Sequence, residues 1–302
     1  MLGRLRVRRD GVALALPASR KARALLAYLA LASRPVSRSY LCELLWDVPN
    51  DPRGELRWCL SKIRSLVATR DRQRIRTSGD TIWLDLAGCF VDAIEIARAV
   101  EQGVSTLSPE RQRSLSMLFE GDFLDGLEID RSPVFSGWLT AQRRRFRACH
   151  TALLEHLAKS ASGDAAFAYL DKWRELAPFD QHVHETLLAA LARHGRIREG
   201  EEHVAATAKL FDAEGLDSAP IRNAWRSART ATVVAVEGRD KTPAAIPRHG
   251  SIAVMPFVDR STEALARGGV ADALAHDIIT RLAKLRSLFV IAQGTVFALH
   301  ER

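Results

Sequence analysis

The sequence predicts a mainly α-helical protein in three parts: an N-terminal α+β unit, an all-α region of helical repeats and a partial C-terminal α/β unit. Three observations support this prediction. Residues 1–88 contain a strand pair, three helices and a second strand pair; residues 91–229 have helical patterns throughout; residues 251–302 contain a strand, a helix and a strand. A length of 302 residues is enough for two or three domains, each able to bury a core.

Two hairpins enclose the helices of the first part. Short apolar alternations on both sides of the turn Arg9-Asp10-Gly11 predict a β-hairpin over residues 3–16. Residues 74–77 and 81–84 flank the turn Ser78-Gly79-Asp80 and predict a second hairpin. The helices of this part therefore lie between two strand pairs along the chain.

Each of the three helices between the hairpins is predicted from its first residue. Ser19 is a candidate N-cap for a helix over residues 20–31, and Ser37 for a short helix that reaches Trp46. Asp51 followed by Pro52 has the form of a cap and a first-turn proline, which predicts a helix to about Val67.

The second predicted part, residues 91–229, consists of amphipathic helices separated by prolines and glycines. The segments 165–176, 181–194 and 197–213 are joined by short loops, which favours stacked helical hairpins of the tetratricopeptide kind. Such hairpins bury their apolar faces on one another. They leave a surface for a protein partner or a second copy of the chain.

The last part begins after a predicted linker over residues 230–250, which mixes small residues, prolines and charges. Beyond it, residues 251–257 and 288–292 predict strands on either side of a helix over 270–285. One such unit cannot cover both faces of a parallel sheet. We therefore expect the chain to be a fragment of a longer protein, or this end to pack on something else.

The net charge of +8 is confined to the first part. Residues 1–85 contain 17 Lys and Arg but only eight Asp and Glu, whereas the remaining residues are close to neutral. Concentrated basicity favours a polyanionic partner, most often a nucleic acid. A solvated basic surface is the alternative.

The third predicted helix carries basic residues on one face. At 100° per residue, Arg53, Arg57 and Arg64 fall within about 40° of one another, and Ser61 and Lys62 extend their polar face. Such a face fits the major groove, where guanidinium groups bind guanine edges and Ser or Lys can reach phosphates. This helix alone is equally compatible with a solvated basic face.

The second predicted hairpin is also basic. Arg72, Arg74 and Arg76 recur at a period of two and therefore project from one face beside the glycine turn. A basic hairpin next to a basic helix can hold the sugar–phosphate backbone, here through Arg74, Arg76 and Thr77. Two independent basic elements make double-stranded DNA the predicted partner.

Several longer motifs carry a family resemblance. The first part contains LGRLRV, RKARALLAYLAL, LCELLWDVPNDPRGELRWCLSKIRSLV, IRTSGDTIWLD and VDAIEIARAV. The second contains LFEGDFLDGLEI, FSGWLTAQRRRFRACHTALLEHLA and GDAAFAYLDKWRELAPFDQHVHETLLAALARHGR. In these motifs residues 1–229 resemble the SARP-like (AfsR-like) transcription regulators, which join an OmpR-like winged helix to a bacterial transcriptional activation domain.

The resemblance implies roles that the residue patterns alone do not establish. It implies that the helix over 52–67 is the recognition helix, that RNA polymerase is a partner, and that the protein binds direct repeats as a homodimer or higher oligomer. The implied polymerase contact is the loop that contains Trp46, Asp47, Asn50 and Asp51. The recognition helix departs from the family pattern at Gly54, Glu55, Trp58 and Cys59. The family's DNA sequence preference therefore does not carry over, and we expect Trp58 to pack on the wing rather than read a base.

The end of the chain has a shorter resemblance. SIAVMPFVDRS and LFVIAQ, in residues 251–302, resemble the start of a TolB-like α/β domain found after such regulators. No phosphate-binding glycine loop accompanies them, so the sequence predicts no nucleotide cofactor.

No residue pattern predicts catalysis. The sequence offers no Ser/His/Asp or Cys/His set with motif support, no CxxC pair and no histidine pair at chelating spacing. We therefore predict no enzymatic activity, no metal and no cofactor. No apolar run approaches the ~20 residues of a membrane span, and the N-terminus lacks a signal peptide's apolar core, which predicts a cytoplasmic protein without membrane contact.

Two hypotheses of function follow. The first is a DNA-binding transcription regulator, in the form of an activator that binds direct repeats through its recognition helix and wing and contacts RNA polymerase. The alternative is a protein-interaction scaffold whose winged helix no longer binds DNA.

Overall fold

A computed structural model describes residues 1–47, 51–69, 72–237, 251–252, 278 and 289–290. The chain divides into two compact units, Met1–Val234 and Ala235–Arg302. The first unit is mainly helical and has small antiparallel sheets in its N-terminal part, which confirms the predicted fold class.

The first hairpin is shorter than predicted. Its strands are β1 (Arg8–Arg9) and β2 (Val12–Ala13), paired antiparallel around a turn in which Asp10 and Gly11 have positive φ. The residues before β1 pair elsewhere, because Leu2 and Gly3 form bridges with Phe123 of the helical region. This long-range pairing is the reason that the alternating pattern does not continue as a hairpin.

The three predicted helices of this part are confirmed with their caps. They are α1 (Arg20–Leu31), α2 (Arg38–Leu45) and α3 (Pro52–Val67). The side chains of Ser19, Ser37 and Asp51 accept hydrogen bonds from the backbone N–H groups three residues later. Each cap thus satisfies one of the donors that a helix leaves free at its start.

A three-stranded antiparallel sheet completes the winged helix. It consists of β3 (Val36–Ser37), β4 (Ile75–Ser78) and β5 (Thr81–Leu84), with β5 in the centre. The hairpin of β4 and β5 is the predicted wing, in the register Ile75↔Leu84. The β3 strand, which the sequence analysis missed, pairs Val36 with Ile82 and connects the start of α2 to the wing.

The region that follows is helical. Its elements are α4 (Asp92–Gln102), a 3₁₀ turn at 104–106, α5 (Pro109–Ser116), α6 (Pro133–Ser160), α7 (Asp164–Leu176), α8 (Gln181–Arg193), α9 (Ile197–Ala213) and α10 (Ala219–Glu237). The last helix enters the predicted linker by eight residues. No glycine or proline interrupts the chain between Pro220 and Gly238, so nothing ends the helix earlier.

The winged helix and α4–α6 share one hydrophobic core. Leu25, Leu44 and Ile63 belong to the same buried cluster as Phe135 and Phe146 of α6. A buried hydrogen bond of 2.8 Å from Ser132 Oγ to the Leu45 carbonyl oxygen crosses the same boundary. The two sequence regions therefore pack as one compact unit.

The helices α7–α10 enclose a second core against the end of α6. Its members include Leu154 of α6, Trp173 of α7, Leu188 of α8, and Ile221 and Trp225 of α10. The long helix α6 thus contributes side chains to both cores.

In the second unit, β6 (Ser251–Ile252) and β7 (Phe289–Val290) pair in parallel, and Ile278 between them is helical. This pairing is the one expected of the strand–helix–strand pattern. The rest of the predicted strands and helix, and residues 238–250 of the predicted linker, lie outside the described residues.

Candidate nucleic-acid interface

The third helix, α3, has one buried face and one exposed basic face. Its buried side chains are Leu56, Cys59, Leu60 and Ile63. The side chains predicted to contact DNA lie away from these: Arg53, Arg57, Ser61 and Lys62 are exposed, and Arg64 is half-buried. The core contacts fix the helix axis, so Arg53, Arg57 and Arg64 are held on one side of a rigid element. Lys62 lies across the exposed surface from them, beside Trp58.

Arg57 has an ion-pair partner in the part of the chain that the structure describes. Its Nη2 lies 3.8 Å from Asp51 Oδ2, and both side chains are largely exposed. Asp51 also accepts the capping hydrogen bond from the Gly54 N–H group, at 2.8 Å. An exposed ion pair of this length contributes little to stability, so Arg57 is free to exchange Asp51 for a phosphate or a base.

Trp58 places an aromatic ring on the exposed side of α3. The side chain is 49% exposed, and Lys62 Nζ lies 5.4 Å from the ring centroid. An exposed tryptophan beside cationic groups is a surface that can contact sugar or base edges as well as protein. The expected packing of Trp58 on the wing stays a prediction.

The wing arginines have unequal freedom. Arg72 pairs with Asp85 Oδ2 at 2.9 Å, and Arg74 Nη1 donates to the carbonyl oxygens of Asp85 and Ala87, both at 3.1 Å. Arg76 lies 3.9 Å from Asp85, and both Arg76 and Thr77 are exposed. Arg72 and Arg74 therefore hold the end of the wing together, whereas Arg76 and Thr77 are available to a ligand.

Asp85 organises this end of the wing. Its side chain accepts a hydrogen bond of 3.0 Å from Ala87 N. That bond, followed by the charges of Arg72 and Arg76, lowers the pKa of the Asp85 carboxyl, so the carboxylate remains ionised and holds Arg72 in its 2.9 Å ion pair.

Arg9 helps to position α3, a role that the sequence analysis missed. Its Nη2 donates to the carbonyl oxygens of Leu66 and Ala68, both at 2.9 Å, and so connects the first hairpin to the end of α3. A helix leaves its last carbonyls without partners, and an arginine donor can satisfy them. The signal available in the sequence is weak: α3 ends in Leu-Val-Ala-Thr, without the glycine that commonly closes a helix.

The residues predicted to contact RNA polymerase differ in exposure. Trp46 is only 6% exposed and lies beside Lys21, whose Nζ is 5.2 Å from the ring centroid. Asp47 and Asp51 are exposed, and Asn50 lies outside the described residues. Among those described, only the two aspartates offer side chains to a partner.

Within the described residues, no group of three or more His, Cys, Asp or Glu side chains is placed to hold a metal ion. The same part of the chain contains no helix that is both long and apolar enough to span a membrane.

A family model of the bacterial transcriptional activator domain matches residues 90–224. This range begins just before α4 and ends within α10. Comparison with curated protein sequences finds no match.

Among solved structures, the chain is similar to Mycobacterium tuberculosis EmbR, determined in complex with a low-affinity phosphopeptide. The TM-score is 0.55 at 20% sequence identity, over 79% of this chain and 69% of EmbR. At this identity the likeness concerns the fold. Residues 90–224 therefore match the bacterial transcriptional activator domain, and the fold of the chain is similar to that of EmbR.

Proposed function

We propose that this protein is a DNA-binding transcription activator. The observation that carries the proposal is the exposed basic face of α3 beside a wing whose Arg76 and Thr77 are also exposed. The match of residues 90–224 to the bacterial transcriptional activator domain supports a role in transcription rather than in DNA packaging or repair.

In the proposed complex, α3 enters the major groove. Arg53, Arg57 and Arg64 face base edges and phosphates, and Ser61 and Lys62 contact the backbone. Arg76 and Thr77 hold the backbone beside the adjacent minor groove. Arg74 acts indirectly, because its guanidinium keeps the wing closed on Asp85 and Ala87.

Fluorescence anisotropy with the DNA upstream of the protein's own gene tests this proposal. If the complex makes about six phosphate contacts, affinity should fall with roughly the fifth power of salt concentration. The double variant Arg57→Ala/Arg64→Ala should lose on the order of tenfold or more in affinity, because each bidentate contact of an arginine with a base contributes about 1–3 kcal/mol.

The matched control is Arg144→Ala/Arg198→Ala, which removes the same charge from exposed positions of α6 and α9. Its affinity should equal that of the wild type. Salt-insensitive binding, or equal losses in both double variants, contradicts the proposed interface.

A homodimer or higher oligomer should bind a duplex that contains two direct repeats more tightly than a duplex that contains one.

We further propose that the loop before α3 contacts RNA polymerase through Asp47 and Asp51, beside Trp46 and Asn50. Asp47→Ala should reduce transcription in vitro several-fold without changing DNA affinity, because the side chain lies outside the basic face. Asp51→Asn retains the capping oxygen and tests the charge alone. A parallel loss of DNA affinity would show that the loop positions α3 instead.

The alternative function is a protein-interaction scaffold. It is favoured by apolar side chains exposed around α8 and α9: Phe179, Leu210 and Leu216 are each more than 40% exposed. A pull-down that retains a defined protein, together with no DNA retention at low salt, would support the scaffold and contradict DNA binding.

A further inference from the structure

A groove of about 860 Å³ lies between the winged helix and the activator region. One wall is formed by the end of α1 and the chain that leads through β3 into α2. The other wall is formed by α4 and α6. Small-molecule sites have volumes of about 300–1,000 Å³ and occur preferentially between domains. The size and the position of this groove both fit that class of site.

Aromatic rings line the groove from both sides. The ring centroids of Tyr28 and Trp138 are 5.1 Å apart, and those of Tyr28 and Tyr40 are 6.1 Å apart. Tyr28 and Trp138 are half-buried, and Tyr40 is exposed. These rings offer flat apolar faces at a place where the winged helix meets α6, so a planar ligand could contact both.

The charges around these rings are mostly positive. Arg34, Arg98 and Arg145 line the groove together with a single acidic residue, Glu101. Arg145 lies 3.7 Å from Glu101, whereas no ion pair of Arg34 or Arg98 is found among the described residues. Burial, together with the neighbouring Tyr40 hydroxyl, raises the pKa of Tyr28 above its usual range, so that phenol adds no negative charge.

We propose that this groove binds a planar aromatic anion, of the class of aromatic carboxylates. The rings would stack on the ligand's ring, and the guanidinium groups of Arg34 and Arg98 would pair with its carboxylate. A wholly apolar ligand would leave the arginines unused, and a simple inorganic anion would leave the aromatic surface unused. The combination therefore selects a molecule with both features.

Such a ligand would touch residues of the winged helix and of the activator region at once. A ligand that binds the folded chain but not the unfolded chain raises the stability of the folded chain by mass action. The ligand would therefore strengthen the contact between α1 and α6. Ligand binding in this groove does not require DNA binding, and the test below contains no DNA.

Isothermal titration calorimetry of the full chain with 1-naphthoate, a planar aromatic carboxylate, tests the proposal. We expect saturable binding at one site per chain. The uncharged analogue 1-naphthalenemethanol should bind about tenfold or more weakly, because it lacks the charge-assisted hydrogen bonds to arginine. Arg98→Ala, at an exposed position of α4, should weaken 1-naphthoate binding to a similar extent.

The control is Arg144→Ala, which removes the same charge next to Arg145 but outside the groove lining. Its affinity for 1-naphthoate should be unchanged. Tyr40→Ala, at an exposed ring, should weaken both the acid and the alcohol. Absence of saturable binding, equal affinity for acid and alcohol, or equal effects of Arg98→Ala and Arg144→Ala would each overturn the proposal.

Discussion

Two helical glycines have opposite surroundings. A Cβ atom added at Gly200 in α9 would overlap the ring of Trp225 from α10, which belongs to the second core. A Cβ added at Gly137 in α6 would meet nothing within 4 Å. Packing therefore requires glycine at position 200, whereas at position 137 glycine destabilises the helix without a packing reason.

The substitution Gly200→Ala should lower the free energy of unfolding by about 1–3 kcal/mol, as overpacking of a closed core does. Gly137→Ala should raise it by about 0.5–1 kcal/mol, because alanine loses less backbone entropy in a helix. Urea unfolding followed by circular dichroism measures both. Equal effects of the two substitutions would contradict the close approach of α9 and α10.

Residues whose roles depend on near neighbours were predictable from the sequence. Ser19, Ser37 and Asp51 cap helices as predicted, because the bond joins residues three apart. Arg9 was missed because its two acceptors lie more than 50 residues away. The exposed face of α3 was recognisable from its periodicity. The engagement of Arg74 with Asp85 and Ala87 was not, since it depends on how the wing closes.

At the scale of elements, α3 is fixed at both ends. Asp51 caps its start, and Arg9 from the first hairpin bonds its final carbonyls. The position of the basic face therefore depends on a hairpin that itself contributes no residue to that face. This arrangement explains why a hairpin as short as β1 and β2 matters to the helix.

Replacing Arg9 by alanine should loosen the last turn of α3. We expect a loss of about 1 kcal/mol in the free energy of unfolding, the usual contribution of one or two exposed hydrogen bonds. Backbone amide exchange near Val67 and Ala68 should become faster. Arg8→Ala in the same strand removes an equal charge and serves as the control. Identical exchange in the two variants would contradict a specific role for Arg9.

Elements that depend on distant partners were the ones that the sequence did not reveal. The strand β3 has two residues and exists only because β5 lies beside it. Conversely, α10 continues to Glu237 because its residues lack a helix breaker, although their small size suggested a linker. Long helices with clear periodicity were predictable, whereas short strands and the pairing of Leu2 and Gly3 with Phe123 were not.

At the scale of the whole first unit, α6 joins two cores. Phe135 and Phe146 pack with the winged helix, and Leu154 and Ala158 pack with α7 and α8. The charge pattern in the sequence suggested separate N-terminal and helical parts, but charge describes the surface and not the core. The continuous packing gives a direct structural connection between the basic surface and the helical repeats.

Neutral histidines are buried in both cores. His150 stacks on Phe119 with ring centroids 4.0 Å apart, and burial lowers its pKa to about 4. In the second core, His184 Nδ1 lies 3.0 Å from His203 Nε2. Burial, and then the neighbouring His184, lower the pKa of His203 to about 4, and burial lowers the pKa of His184. The two rings can share one proton in a hydrogen bond, whereas protonation of both would place two positive charges next to each other.

We expect these histidines to make the stability of the unit depend on pH. Their pKa values in the folded chain lie below the unfolded value of 6.5, so the unfolded chain binds more protons at mildly acidic pH. Stability should be full above about pH 6.5 and fall as the pH decreases towards 4. The urea concentration at the midpoint of unfolding, measured from pH 7.5 to 4.5, tests this expected loss of stability. His150→Phe keeps a ring on Phe119 but cannot be protonated, so its midpoint should fall less steeply than that of the wild type. Parallel pH profiles for the two proteins would assign the acid sensitivity to other groups.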